Sequence, residues 1–362
     1  MPATQPLLWG AEALWLQLEP LLPGLTVEVV ASTESTNTTL LNRARGTHGP
    51  ADTQACLLVA EQQTRGRGRQ GKDWLSSAGA SLTFSLALPL APADWSGLSL
   101  AVGLALADAL DPPTGAPWAH QAPGTGPARG ARLGIKWPND LLVLGNAEPD
   151  RSAAASLGQN AGQALGRKVG GILIETVQAG DRRLAVVGVG LNVRPQATTA
   201  SAASAPDTAS NAPPATATPA LSWGYACLQE LQPGLDAPAV LAIVAPALVR
   251  ELLAFERHGF APLRQRFAAR DVLMGRAVVT TLPGLPRGVA DGVDDTGTLW
   301  LRVPDIHDTG QTSGPQMVRR RPVASGEVSL RPDPGTSLDP GLVTTDPAAP
   351  APRTQPIEPT PC

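Results

Sequence analysis

The chain has 362 residues, 43% of them hydrophobic, with 37 glycines, 37 prolines and a formal net charge of −3. That is ample apolar material for folded cores, and the weak negative charge excludes a global attraction to nucleic acid or an anionic membrane. The three cysteines, Cys56, Cys227 and Cys362, are odd in number and far apart, which argues against a disulfide framework or a clustered thiolate metal site and fits a reducing cytoplasm.

In chain order, residues 5–20 place Leu and Trp on one helical face before a Pro-Gly stop. No basic residue precedes Arg43, so no signal peptide is expected. Residues 25–31 alternate like a strand. Residues 38–45 have helical spacing behind Ser35-Thr36-Asn37, whose hydroxyl and amide groups suit an N-cap. Residues 55–60 read as a buried strand, and residues 62–74 as a Gly-rich cationic loop with no hydrophobic period. Strands over 81–88, 134–137, 140–144, 169–176 and 184–193, with a helix over 95–110, give a mostly β sheet with segregated helices, an α+β pattern. The apolar run 98–110 contains Gly103 and Asp108 and is too short for a bilayer, so no membrane span is expected.

Residues 236–270 read as helical, with Leu241, Val244, Leu248, Leu252 and Phe255 at three- to four-residue spacing. Short strands over 276–282, 288–293, 298–303 and 326–331 predict a small all-β module beyond a boundary near Val272. Inserts near 111–131, 145–165 and 195–220, and the tail 332–362, are rich in Ala, Gly, Pro, Ser or Thr; the inserts are expected to be flexible surface loops and the tail disordered. The domain plan is therefore an N-terminal helical extension (1–24), an α+β domain (25–271), a β module (272–331) and a tail (332–362).

Four runs carry chemistry. In residues 66–74, Arg67 and Arg69 stand among glycines, so backbone and guanidinium groups can both approach an anion. On composition alone the loop is equally a solvated basic turn or a nucleic-acid patch. Gly66 to Lys72 nearly matches a phosphate loop, but Asp73 replaces the required hydroxyl and a strand, not a helix, follows. Residues 135–140 pack a cation, an aromatic ring, a Pro-fixed turn, Asn139 and Asp140 between two strands; in isolation a capped turn with a core Trp is the favoured reading, and the preceding loop is what makes the run informative. Lys168 enters a strand just before Gly170 and Gly171, where a cation can hold developing carboxylate–phosphate charge or snorkel at a sheet edge. Residues 188–193 end a strand with two glycines and Asn192, an amide able to read a polar ring edge. No helix opens directly behind them, which excludes a dinucleotide fingerprint. His48, His120, His258 and His307 are isolated, so neither His-ligated zinc nor a serine triad is expected.

The ordered runs STESTNTTLL, AEQQTRGRGRQGKDW, KWPNDLLV, RKVGGILIE, GVGLNV and GEVSLR resemble the catalytic and C-terminal domains of bacterial biotin–protein ligases over about residues 25–331. The resemblance implies a mixed-sheet catalytic domain of the biotin/lipoate ligase type with a C-terminal SH3-like β domain. It implies a biotin pocket of Ser35, Thr36, Asn37, Gln63, Gly66, Arg67, Gly68, Arg69, Lys168 and Gly171. It implies ATP contacts from Trp74, Asn139, Asp140, Lys168, Asn192 and Arg331, and a catalytic role for Lys168, Arg67 and Arg69. Biotin and ATP are the implied substrates with Mg2+, whose protein ligands are unassigned.

The partner implied is the biotin carboxyl carrier protein of acetyl-CoA carboxylase, with other biotin-dependent carboxylases beside it. The family's bifunctional members carry an N-terminal DNA-binding domain; residues 1–24 leave no room for one, so DNA binding is not expected. A location in the cytoplasm, away from membranes, is, and a homodimer is left open. Lys72-Asp73 and Phe267 depart from the family's usual basic pair and Trp. Two other readings stand beside this one: a lipoate–protein ligase, disfavoured by the GRGRQG loop, and a non-catalytic ligand-sensing regulator.

Overall fold

A computed structural model of the chain describes residues 7–46, 52–113, 132–145, 166–196, 224–304, 318–323 and, by backbone alone, 330–332. The expected inserts and tail fall almost wholly outside these residues.

Helix α1 (Ala11–Leu18) buries Leu14 and Leu18 and leads into β1 (Thr26–Thr33). Helix α2 (Thr36–Ala44) starts at Ser35, whose backbone is extended and whose Oγ accepts from the Thr38 N–H at 3.4 Å, the N-cap expected of the Ser-Thr-Asn run. There follow β2 (Cys56–Gln63), a small ribbon of β3 (Gly66–Arg67) and β4 (Asp73–Trp74), β5 (Ser81–Pro89) and α3 (Leu98–Leu110). Then come β6 (Leu133–Lys136), β7 (Asp140–Val143), β8 (Arg167–Ala179) and β9 (Arg182–Asn192). Seven of these strands form one sheet in the order β1-β2-β5-β9-β8-β7-β6. Only the β1–β2 pair is parallel, the mixed sheet expected from the sequence.

Helix α4 (Ala237–His258) and the short α5 (Arg264–Ala268) follow. On one face of the sheet lies α3, apolar all round because it is sandwiched between the strands and α4. On the other lies α2, whose Leu40, Leu41 and Ala44 pack on Leu58, Val177 and Val186. The longest apolar helix is α4 rather than the 98–110 segment. By length and composition it alone among the described residues could cross a membrane. Its buried face, including Leu241, Val244, Leu248, Leu252 and Phe255, makes it a core helix here.

The last strands, β10 (Ala277–Thr280), β11 (Arg287–Val293), β12 (Leu299–Pro304), β13 (Val318–Val323) and β14 (Leu330–Pro332), form an antiparallel sheet in the order β13-β12-β11-β10-β14. Strand β13 is absent from the sequence expectation. Its Val-Arg-Arg-Arg-Pro-Val run has no apolar alternation because it is an edge strand, exposed at all but Val323.

A buried ionic cluster ties α3 to the start of β6 and to the chain leaving α5. Arg270, 2% exposed, donates to Asp108 Oδ1 (2.7 Å), Asp111 Oδ2 (3.2 Å), the Asp111 carbonyl (2.6 Å) and the Leu133 carbonyl (2.8 Å). Asp108 keeps Arg266 and Asp111 keeps Arg132, but removing the guanidinium takes one cation from each carboxylate and the side-chain donor from the buried Asp111 and Leu133 carbonyls. Arg270→Met is therefore expected to lose about 3–5 kcal/mol of unfolding free energy, measured by urea titration; a loss below about 1 kcal/mol would place the cluster among ordinary surface pairs.

Candidate active site

A cavity of about 300 Å³ opens over β8 and β9, between the first turn of α2 and the cationic loop. At one end the lining is neutral and polar. Gln63 Oε1 accepts from Thr36 N (2.7 Å) and Thr36 Oγ1 (3.1 Å), and Ser85 Oγ stands 2.6 Å from both Thr36 Oγ1 and Asn37 Oδ1. Asn37 Nδ2 donates to the Leu173 carbonyl (3.2 Å) and to Glu175 Oε2 (3.0 Å). The Asn37 amide lies so close over β9 that a Cβ on Gly188 would sit 2.2 Å from its oxygen. Only glycine fits there.

The loop is a ribbon closed by a single 3-10 turn, with Gln70 (φ 57°) and Gly71 (φ 69°) in the left-handed region. Arg67 donates to Glu175 Oε1 (3.0 Å) and Thr38 Oγ1 (3.3 Å). Arg69 reaches Asn139 Oδ1 at 3.4 Å, and burial pushes its pKa down against the pull of Asp140. Trp74 lays its indole on β9, where a Cβ on Gly190 would be 2.3 Å from the ring. Its Nε1 is buried and has no hydrogen bond among the described residues.

The other end is charged. The hairpin turn with a cis Trp137–Pro138 bond brings Lys136 and Asp140 together. Asp140 accepts from Lys136 Nζ at 3.0 Å and from Lys168 Nζ at 2.7 Å. Burial alone would raise the Asp140 carboxyl, but the two lysines outweigh it and hold it at about 2. Burial pushes Lys136 down despite Asp140. Lys168 also lies 5.8 Å from the Trp74 ring centroid, in cation–π range. Arg67, Arg69, Lys72, Lys136 and Lys168 line the cavity against Asp73 and Asp140, so a chain of negative net charge presents a positive pocket suited to an anion.

Ser35, Thr36, Asn37, Gln63, Arg67, Gly68, Arg69, Trp74, Asn139, Asp140, Lys168 and Gly171 thus surround one cavity. Gly66 stands just outside it, where a Cβ would meet the Trp74 carbonyl at 2.3 Å. Asn192 is not in the wall; it donates to the Ala226 carbonyl at 3.1 Å and fastens the end of β9 to the segment after the third insert. Arg331 pairs by backbone with Val279 in the C-terminal sheet, and its side chain is outside the described residues. Of the polar lining, the sequence-based site lacks Gln70, Lys72, Asp73 and Lys136; it also lacks Ser85 and Glu175, which hold Thr36, Asn37 and Arg67 from behind the wall. Glu175 had a signal: Gly171, Leu173 and Glu175 share one strand face by period two.

A cavity with a polar end, a cationic end and a glycine floor beneath a basic loop suits an extended ligand with an anionic end. Residues 29–192 match the Biotin/lipoate A/B protein ligase family. A Biotin--[acetyl-CoA-carboxylase] ligase of Paracoccus denitrificans is 33% identical over 282 residues, covering 76% of this chain and 94% of that protein. One of Mycobacterium tuberculosis is 33% identical over 302 residues, covering 81% and 86%. The biotin protein ligase of Aquifex aeolicus, solved in complex with biotin and ATP, shares the fold with a TM-score of 0.52 at 22% identity, covering 86% of this chain and all (100%) of that one. The chain belongs to the biotin/lipoate protein ligase family.

The lysine pair gives a pH test. Asp140→Asn removes the carboxylate that offsets the buried Lys136 charge, and is expected to cost about 3–5 kcal/mol at neutral pH. Because the folded pKa of Lys136 lies below its unfolded value, the unfolded state binds more protons as this lysine titrates. Stability of the variant should then rise with pH toward the unfolded lysine value. Urea unfolding across the neutral to alkaline range measures it; a deficit independent of pH would show that Lys136 is not the group left uncompensated.

Proposed function

We propose that this chain is a biotin–protein ligase that joins biotin to AMP and then passes the biotinyl group to a lysine of a biotin carboxyl carrier protein. The observation that carries the reading is the cationic end of the cavity, where Lys168 stands 2.7 Å from Asp140 at the edge of the glycine floor. In the first step a biotin carboxylate oxygen bonds to the α-phosphorus of ATP, the bond to the β-phosphate oxygen breaks, and pyrophosphate leaves. In the second, the acceptor lysine's neutral amine attacks the acyl carbon, AMP leaves with the bonding electrons, and the amine loses a proton.

Ser35, Thr36, Asn37 and Gln63 offer hydroxyl and amide partners for the ring end of biotin. Lys168, Arg67 and Arg69 stabilise the carboxylate and α-phosphate by charge already in place. Trp74 and Asn139 bound the nucleotide side, and the bare floor at Gly171 and Gly190 lets an extended ligand lie on the strands. Magnesium would neutralise triphosphate charge. Asn139 and Asp140 supply side-chain oxygens at the cationic end, with both Asp140 oxygens already on lysines, so such an ion would be held mainly by phosphates. The relatives, ligases that act on acetyl-CoA carboxylase by name, favour its carrier as acceptor. Cys56 and Cys227, free and buried, suit a cytoplasmic enzyme.

Incubation with biotin, MgATP and a biotin acceptor domain, followed by intact-mass measurement, tests the reading. One biotinyl increment on the acceptor lysine is expected, and a lipoyl increment with lipoate in place of biotin would replace it with the lipoate reading.

Lys168→Ala should reduce biotin-dependent pyrophosphate exchange by about a hundredfold or more, with thermal unfolding close to that of the parent because Asp140 keeps Lys136; undiminished exchange would remove Lys168 from the chemistry. Arg69→Gly should act on retention instead. It deletes the contact to Asn139 and widens the open-loop ensemble of a segment whose ordering costs roughly 1–2 kcal/mol per residue. Stopped flow should show faster adenylate release, and mass spectrometry should show biotin on lysines of a bystander protein. Unchanged release with no stray labelling would rule out loop closure as the seal.

A further inference from the structure

The side chain of Trp137 points away from the cavity that its neighbours line. Lys136, Pro138, Asn139 and Asp140 line that cavity, whereas Trp137 is 0% exposed and its Nε1 donates to the Gly297 carbonyl at 3.1 Å. Gly297 belongs to the turn between β11 and β12, in the C-terminal sheet. That turn is held in shape by Asp294, whose Oδ1 accepts from Thr296 N (2.9 Å), Thr296 Oγ1 (2.7 Å) and Thr298 N (3.1 Å), and whose Oδ2 accepts from Trp300 Nε1 (2.9 Å). The turn also sits against the start of α3: a Cβ on Gly297 would be 2.7 Å from the Gly97 Cα.

We propose, resting on the ligase reading above, that the C-terminal module positions the catalytic turn, with Trp137, Gly297 and Asp294 acting as positioning residues for Asn139 and the Lys136–Asp140 pair. The reason is geometric. Trp137 is covalently between Lys136 and Pro138, so where its ring is fixed decides where both flanking groups stand. A buried indole N–H has few acceptable partners, and the Gly297 carbonyl supplies one from a separate sheet. The ring end of the ligand pocket, built on α2 and Gln63, has no part in this link. Loss of the link should therefore lower the rate of the phosphoryl step and leave biotin recognition nearly unchanged.

Biotin-dependent exchange of labelled pyrophosphate into ATP is compared in the full-length parent, Trp137→Phe, Asp294→Ala and Arg264→Ala, with folding checked by near-ultraviolet circular dichroism. Amide hydrogen exchange over residues 133–143 is followed in the same proteins. Trp137→Phe should lower kcat about tenfold or more, and Asp294→Ala less, with KM for biotin within about threefold of the parent. Protection of residues 133–143 should fall in both while that of β5 stays. Arg264→Ala, which removes the exposed ion pair to Asp295 in the same turn, should keep the parent kcat.

If Trp137→Phe does not fold, Asp294→Ala decides, since it acts from the far side of the hydrogen bond. Parent kcat and parent protection in the folded variants would overturn the proposal, as would an Arg264→Ala loss equal to theirs, which would point to docking in general. A parent without exchange activity would defeat the ligase reading alone, and protection of residues 133–143 would then decide the positioning claim by itself.

Discussion

A lysine ammonium taken out of water needs a counter-charge in fixed geometry, or it does not stay charged. Lys136 is such a group, and Asp140 supplies the charge from four residues on, across the β6–β7 hairpin. The consequence runs outward through strand pairing. Asp140 opposes Gly171 on β8, and an irregularity between Leu141 and Leu142 brings Leu142 opposite Lys168. That shift leaves the Lys168 ammonium beside the second carboxylate oxygen of Asp140. One carboxylate thereby fixes two cations. With Arg69 held to the same turn through Asn139, the charges at the cationic end are placed by the protein's own contacts, which limits the reorganisation that electrostatic stabilisation requires.

The glycines answer a different demand. Gly188 and Gly190 on β9 leave no room for a Cβ because Asn37 and the Trp74 indole occupy that space from the two ends of the cavity. Gly171 is looser, with its nearest neighbour, Lys168 Nζ, 3.3 Å from where a Cβ would stand. The floor is therefore bare backbone, and flat polar or aromatic groups approach it closely. Trp74 is the changeable part of this arrangement: it comes from the short ribbon rather than the main sheet, and its Nε1 is buried without a hydrogen bond among the described residues. A buried donor in that state is costly, so the indole has a reason to gain a partner when a ligand with acceptor oxygens enters.

Much of this was readable in the chain because the strongest signals coincide with local physics. The Ser-Thr-Asn run caps a helix wherever it stands, the Gly-Arg repeat cannot form a core, and the spacing of Leu241 to Phe255 is that of a half-buried helix. What stayed hidden depended on pairing partners distant in sequence. Glu175 reads as the polar end of an apolar strand until Arg67 and Asn37 are found on it. Nothing local shows that the Asn192 amide also ties β9 to the Ala226 carbonyl. Strand β13 is invisible because three consecutive arginines carry no period, and only the sheet beside it makes it a strand.

The two ends of the cavity differ in kind, and the difference follows from what each is built on. The polar end is a closed network in which Thr36, Asn37, Gln63 and Ser85 already satisfy one another, and it sits on α2 and the central strands, among the deepest parts of the sheet. Such a network distinguishes shapes, because a ligand must replace good hydrogen bonds with equally good ones. The cationic end sits at the opposite margin, on β6, β7 and the start of β8, where the sheet runs out and the C-terminal module takes over its support. Burial of Trp137 against Gly297 supplies the packing that further strands would otherwise provide. The polar end thus rests on the centre of the sheet, while the cationic end rests on the junction between two sheets.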